Sequence, residues 1–240
     1  MKQLFFTAIV AAFLTGSCNI IDQQRIKGDG KTVSKTYDLK DFSSIDIGNA
    51  SAVFLKQDSV FSVKIETDEN LFQYITAAVE EGELDIDEKN DFDLRPSNEI
   101  KIYISMPVVK KAALSGASTL KADNKITQDE PFALDISGAS NATLQLKAPM
   151  VQMDVSGAST LNISGETREI RGEASGASTI HGFDLKAETT NMEASGASTA
   201  NIFASVQLTA NASGASSIKY MGNPKVSSSA NGAGSVSKAD

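Results

Sequence analysis

Tryptophan is absent from this chain of 240 residues, and cysteine and histidine occur once each. The single Cys18 cannot form an internal disulfide, so a disulfide-stapled scaffold is excluded. The single His181 leaves His-based zinc sites and Ser-His or Cys-His catalysis without the residues they need. Lys and Arg total 22 against 30 Asp and Glu, a net charge of −8. No basic patch stands out, so nucleic acid is not an expected partner. Arginine occurs only at 25, 95, 168 and 171. Arg168 and Arg171 stand beside Glu169 and Glu173 and read as solvated pairs. That supply is thin for an enzyme acting on polysaccharides, and the chain is read as non-enzymatic, with no cofactor. Aromatics make up only 6% of the chain, while 17 Gly and many Ala and Ser point to a structure built from small residues.

The N-terminus carries an address. Met1 and Lys2 precede an apolar run, LFFTAIVAAFLT at 4–15. Twelve residues are too few to span a bilayer as a helix, which takes about 20, but they suit the apolar stretch of a secretory signal. The run ends in Leu14-Thr15-Gly16-Ser17-Cys18, which resembles a bacterial lipoprotein signal, with Thr15 standing where Leu is usual. The resemblance implies cleavage of residues 1–17 and lipid attachment at Cys18, with a polar tether over 18–31. An ordinary cleaved signal with an incidental thiol is the alternative. A lipid-bearing Cys18 makes the membrane a partner and places the protein in the envelope, as an outer-membrane or periplasmic lipoprotein. Residues 19–24 (NIIDQQ) leave cell-surface display open.

A hexapeptide dominates the rest: LSGAST at 114–119, ISGASN at 136–141, VSGAST at 155–160, ASGAST at 174–179 and 194–199, ASGASS at 212–217, and a degenerate ANGAGS at 230–235. The first Ser, or Asn in the last copy, recurs at intervals of 22, 19, 19, 20, 18 and 18. A fixed period in this range is the mark of a solenoid. Apolar residues before each motif alternate with polar ones (Phe132, Leu134, Ile136; Val151, Met153, Val155), and Leu161 and Ile163 alternate behind it. Period 2 means strands. Coils of about 18–20 residues built from short strands make an all-β parallel β-helix, regular over 112–240. The motif Gly reads as a corner needing positive φ. Alternation puts the second Ser of each motif inside, where hydroxyls can satisfy one another along the ladder, but a corner resets that parity, so both orientations stay open. Many copies of one Ser with one His make no nucleophile, so the motif is structural.

Two residues before the motif Ser stand Asp135, Asp154, Glu173 and Glu193, an outward acidic column. Stacked carboxylates could hold Ca²⁺ through oxygen ligands, but no calcium-loop motif supports that, and a solvated face is the simpler reading. Residues 32–111 lack clean copies of the motif yet contain strand-like stretches such as 44–47, 52–56, 60–66, 84–87 and 100–106. They read as the same sheet beginning irregularly, with inserted hairpins, a short helical turn within 68–78, and an acidic loop over 85–93. Asn49-Ala50-Ser51 looks like a worn copy of the motif, and His181 like an outward residue. The closing coil fades into polar residues, which blunts the open end of the stack.

The order FSSIDIGNASAVFLKQ (42–57), VFSVKIETDENL (60–71), GELDID (82–87), IKIYISMP (100–107) and then LSGAST-type repeats resembles the "putative auto-transporter adhesin, head GIN domain" family of exported, often lipid-anchored Bacteroidetes proteins. The resemblance implies a β-solenoid without catalytic residues and offers no binding residues to carry over. Asp58-Ser59-Val60 resembles the short site at which exported Bacteroides proteins are O-glycosylated, at Ser59. Three functions follow: an adhesin-like solenoid binding a glycan or an envelope protein, a scaffold that self-associates end to end as a homo-oligomer, and, least supported, a polysaccharide-active enzyme.

Overall fold

The computed structural model describes residues 24–48, 50–89 and 91–239. They form a parallel β-solenoid of about seven turns with a less regular N-terminal region. Each turn has one strand before the motif and one after it. The strand before it runs through Lys111–Leu114, Phe132–Ile136, the end of Asn141–Val155, the end of Thr160–Ala174, Thr189–Ala194, Gln207–Ala212 and Lys225–Ala230. These pair in parallel, each with the next, to make one face. The strand after the motif makes a second face in the same way, from Thr119–Ala122 to Ser235–Lys238.

The corner between the faces is laddered as continuously as the strands. Ser137, Ser156 and Ser175 donate their N–H to Leu114, Ile136 and Val155 at 2.8–2.9 Å. Ala139, Ala158 and Ala177 donate to Gly116, Gly138 and Gly157 at 2.7–2.8 Å. The motif glycine is required twice over. Gly157 has φ +71, a left-handed conformation costly to any residue with a Cβ. A Cβ there would also lie 2.3 Å from the carbonyl oxygen of Gly138 in the adjacent coil.

The second Ser of every full motif copy is buried: Ser118, Ser140, Ser159, Ser178, Ser198 and Ser216 are at most 1% exposed. Parity therefore survives the corner. The hydroxyls do not satisfy one another, however. Ser198 shares its one hydroxyl hydrogen between the carbonyls of Ala174 and Ser195, at oxygen–oxygen distances of 3.0 and 2.8 Å, and Ser216 between those of Ala194 and Ser213, at 2.9 and 2.8 Å. At the spacing of paired strands, about 4.8 Å, a hydroxyl reaches a main-chain oxygen more readily than the next hydroxyl. Among the described residues, those of Ser140 and Ser178 have no partner.

Inside the coil, like stacks on like, and one row tapers. In register along the first face run Ile86, Ile47, Leu114, Ile136, Val155, Ala174, Ala194, Ala212 and Ala230. Side-chain volume in this row falls steadily toward the C-terminus, so the later coils need less room beside the corner.

The N-terminal region is the same sheet threaded out of order. Ser44–Ile47 and Ser51–Gln57 form a turn of the solenoid, with buried Ser51 standing where later coils have the second motif Ser. The chain then leaves this turn and lays Glu83–Glu88 and Ile100–Met106 on its far side, before returning to start Lys111–Leu114 on the near side. Antiparallel strands close that end. Ser62–Asp68 lies on Ile100–Met106, Thr32–Tyr37 on Ser62–Asp68, and Ile75–Glu80 on Glu83–Glu88. A 3₁₀ turn, Glu69–Tyr74, buries Leu71 completely between them. The acidic loop expected over 85–93 is a correction: most of it is strand, within Glu83–Glu88 and Phe92–Arg95, because Leu84, Ile86 and Leu94 alternate inward between the acids. Gln24–Lys27, within the stretch read as a tether, pairs in parallel with Phe92–Arg95.

Candidate binding faces

The two outward faces differ in charge. On the first, Asp135, Asp154, Glu173 and Glu193 occupy successive rungs in register, as the sequence spacing requires. The row is longer than the repeat reveals. Beyond Ala113 it continues through Asp46 to Asp85, contributed by the rungs threaded out of order. Burial, with repulsion from Glu83, raises the pKa of Asp46 above the ordinary carboxylate range, and Lys111 opposes this. Burial, with repulsion from Asp87 and Asp46, does the same to Asp85, and burial with Asp135 to Asp154. Lys111 relieves the row, lying 3.2 Å from Glu83 and 3.9 Å from Asp135. A shallow groove of about 390 Å³ crosses the middle of this face, between Asp154, Glu173 and Glu193 on one side and Gln152, Arg171 and Asn191 on the other. Arg171 is bound to Glu169 at 2.6 Å. No three His, Cys, Asp or Glu side chains converge as a metal ion would require, among the described residues. A ladder spaces its carboxylates evenly instead of gathering them.

On the second face the two outward rows nearest the corner carry no carboxylate from the rung of Ile100–Met106 to that of Ser235–Lys238. The first holds Lys101 and then, from Thr119 on, Asn141, Thr160, Thr179, Thr199, Ser217 and Ser235. The second runs Tyr103, Phe54, Lys121, Thr143, Asn162, His181, Asn201, Lys219 and Ser237. His181 is exposed within this row. At its N-terminal end the rings of Phe54 and Tyr103 stack, 5.0 Å apart and 14° from parallel, and Lys64 caps Tyr103 at 4.1 Å. Tyr103 is thus covered by Phe54 and Lys64, and the stacked pair serves as a cross-strand contact. The sequence hid this acid-free strip, since its members are about 20 residues apart and alternate with core residues.

The second serine of each full motif copy lies inside the coil, several of these hydroxyls bonded to main-chain oxygens, while the first serine stands half-buried at the corner and is exposed at Ser213. Ser59 lies in the turn between Ser51–Gln57 and Ser62–Asp68, exposed, beside Val60 with 64% of its surface free; its N–H donates to Asp58 at 2.7 Å. Cys18 lies outside the described residues.

The model of one protein family matches residues 41–224, from Asp41 ahead of the first solenoid strand to the loop after Ser217–Met221. That family is described as "Putative auto-transporter adhesin, head GIN domain". The chain belongs to it. Membership makes it a non-enzymatic, adhesin-like β-solenoid with an extracellular or envelope location. Among solved structures it is similar to a "putative adhesin" from Bacteroides fragilis, at 23% identity and TM-score 0.81, covering 89% of this chain and 100% of that one. A "putative lipid binding protein" from Parabacteroides distasonis matches at 22% identity and TM-score 0.72, and a "putative adhesin" from Parabacteroides merdae at 20% and 0.70. Each of these two covers 90% of this chain and 100% of its own. At these identities the likeness shows the fold. No curated protein matches the chain.

Proposed function

We propose that this head GIN protein is a lipid-anchored envelope lipoprotein that binds an extended partner, a glycan or an envelope protein, along an outward face of its solenoid. One observation carries the reading: two flat faces repeat polar side chains in register on rung after rung, while the second serine of each full motif copy is sealed inside. A surface of that kind suits a long ligand met at many weak points and is a poor place for chemistry at one bond. The anchor is Cys18, whose acyl chains would each add about 0.8 kcal/mol of membrane affinity per buried CH₂. Labelled palmitate should enter the exported protein and fail to enter Cys18→Ser; equal labelling would remove the anchor from the proposal. A screen of glycans and envelope extracts against the purified chain tests the binding role, and absence of any saturable ligand would overturn it. Ser59 is assigned as an O-glycan acceptor on its motif and its accessible turn, and intact mass of the exported protein tests this.

End-to-end self-association is the second reading. Lys225–Ala230 and Ser235–Lys238 each pair on one side among the described residues, and Val226 keeps 40% of its surface. Strands paired on one side are templates for another strand. Sedimentation across a concentration series distinguishes it, because a scaffold grows and a binding module stays one size.

A further inference from the structure

We infer that the acid-free strip of the second face is a binding site for an anionic polysaccharide, one bearing carboxylates on its sugars. The inference rests on the proposed binding role and assigns that role a face, a ligand class and its residues.

The first argument is charge. The protein carries −8 overall. Yet the two rows between Lys101 and Ser237 span eight rung intervals, roughly 38 Å at about 4.8 Å each, without one Asp or Glu. Lys121 and Lys219 stand in the second of these rows, both exposed, and neither forms an ion pair among the described residues. Lysines elsewhere are commonly neutralised, Lys111 by Glu83, Lys56 by Asp58 and Lys110 by Glu130, as is Lys101 at the N-terminal end of the strip, by Glu66. The opposite sign is gathered on the other face, from Asp85 to Glu193. An anionic chain is drawn to the strip and repelled by the acidic row, so the charge pattern selects both the ligand and the face.

The second argument is repetition. Asn141, Thr160, Thr179 and Thr199 offer a hydroxyl or an amide at one position on successive rungs, and Thr143, Asn162 and Asn201 do so one row over. A polysaccharide likewise repeats one set of hydroxyl and carboxylate groups along its length, and each repeat can meet a rung. A folded protein partner needs something different. Protein interfaces draw their energy from a few Trp, Tyr or Arg side chains seated in pockets. From Thr119 to Ser235 the two rows hold no Phe, Tyr, Trp or Arg.

Biolayer interferometry on immobilised polygalacturonate, with neutral dextran as the comparison, tests the assignment. The intact chain should bind polygalacturonate, lose affinity at least about tenfold in about 0.5 M NaCl, and lose it comparably in Lys121→Glu/Lys219→Glu. Both lysines are exposed and unpaired, so that variant should keep the urea midpoint of the parent. Asp154→Asn/Glu173→Gln, on the acidic face, should bind as the parent does. Equal binding to dextran without a response to the lysine changes would overturn this inference and leave the broader binding role standing. Binding to neither polymer would overturn the inference alone, since the broader role is decided by the ligand screen. Salt-sensitive self-association in sedimentation, without added polymer and lost in the lysine variant, would reassign the strip to a second copy of the chain.

Discussion

Replacing Gly157 by Ala adds one methyl group, and the structure predicts that it will be among the most damaging conservative changes in the protein. Two penalties combine. Holding an L-residue at φ +71 costs about 1–2 kcal/mol. The new Cβ must also open a gap against the Gly138 carbonyl, since 2.3 Å is far inside contact distance and the neighbour is main chain that cannot swing aside. Opening that gap weakens the bond from the Ala158 N–H to the same oxygen, now 2.7 Å, and the two bonds flanking it in the corner. At about 0.5–1.5 kcal/mol per bond, the total loss should reach about 3–5 kcal/mol. Gly30 supplies the control. It has φ +81, but a Cβ there meets nothing within 4 Å, so Gly30→Ala should lose only the conformational term, about 1 kcal/mol. Urea denaturation followed by circular dichroism measures both. If the two variants lost the same stability, the stacked glycine column would not be what holds the corners together, and this account of the repeat would be wrong.

Other consequences can be measured on the same protein. Buried Asp68 accepts the N–H of Gly30 at 2.8 Å and of Ser97 at 2.7 Å. Burial alone would push its carboxyl up, but the donors of Ser97 and Gly30 outweigh that and hold its pKa below the ordinary value. A depressed carboxyl stabilises the fold above its unfolded value of about 3.9, and that stability fades as pH falls through the folded value. Asp68→Asn should therefore cost about 1–3 kcal/mol at neutral pH and progressively less under acid, as urea midpoints at both pH values will show. Asp154 titrates the other way. Its pKa is raised by burial and by Asp135, so the charged form strains the row and protonation relieves it. Asp154→Asn should gain a few tenths of a kcal/mol at neutral pH, a gain that disappears as the parent protonates in acid. The buried serines should divide by partner. Ser216→Ala, which removes a hydroxyl that shares its one hydrogen between two carbonyls at 2.8 and 2.9 Å and accepts the Ser213 N–H at 3.1 Å, should lose about 1–2 kcal/mol, whereas Ser178→Ala, whose hydroxyl has no partner, should be neutral or stabilising in the same melts.

The sequence alone determined the architecture, because a solenoid writes its geometry into its period. Intervals of 18–22 between motifs set the coil, alternation set the strands, and a glycine at one position of each full copy set the corner. The acidic row from Asp135 to Glu193 was legible for the same reason, since equal offsets from a repeated motif become neighbours on one face. What only the tertiary structure decided lay where the period fails or where side chains choose among partners. The rungs of 83–88 and 100–106 pack outside an earlier turn, so Asp85 and Asp46 join a row whose next acid, Asp135, lies 50 and 89 residues later in the chain. Nothing in local spacing encodes that crossing. The inner serines bond to main-chain oxygens and not to each other, a matter of reach across one rung. The acid-free strip emerges only when residues about 20 apart are stacked and the core residues between them are turned inward. Periodicity fixed which residues stack; packing decided what each stacked row can touch.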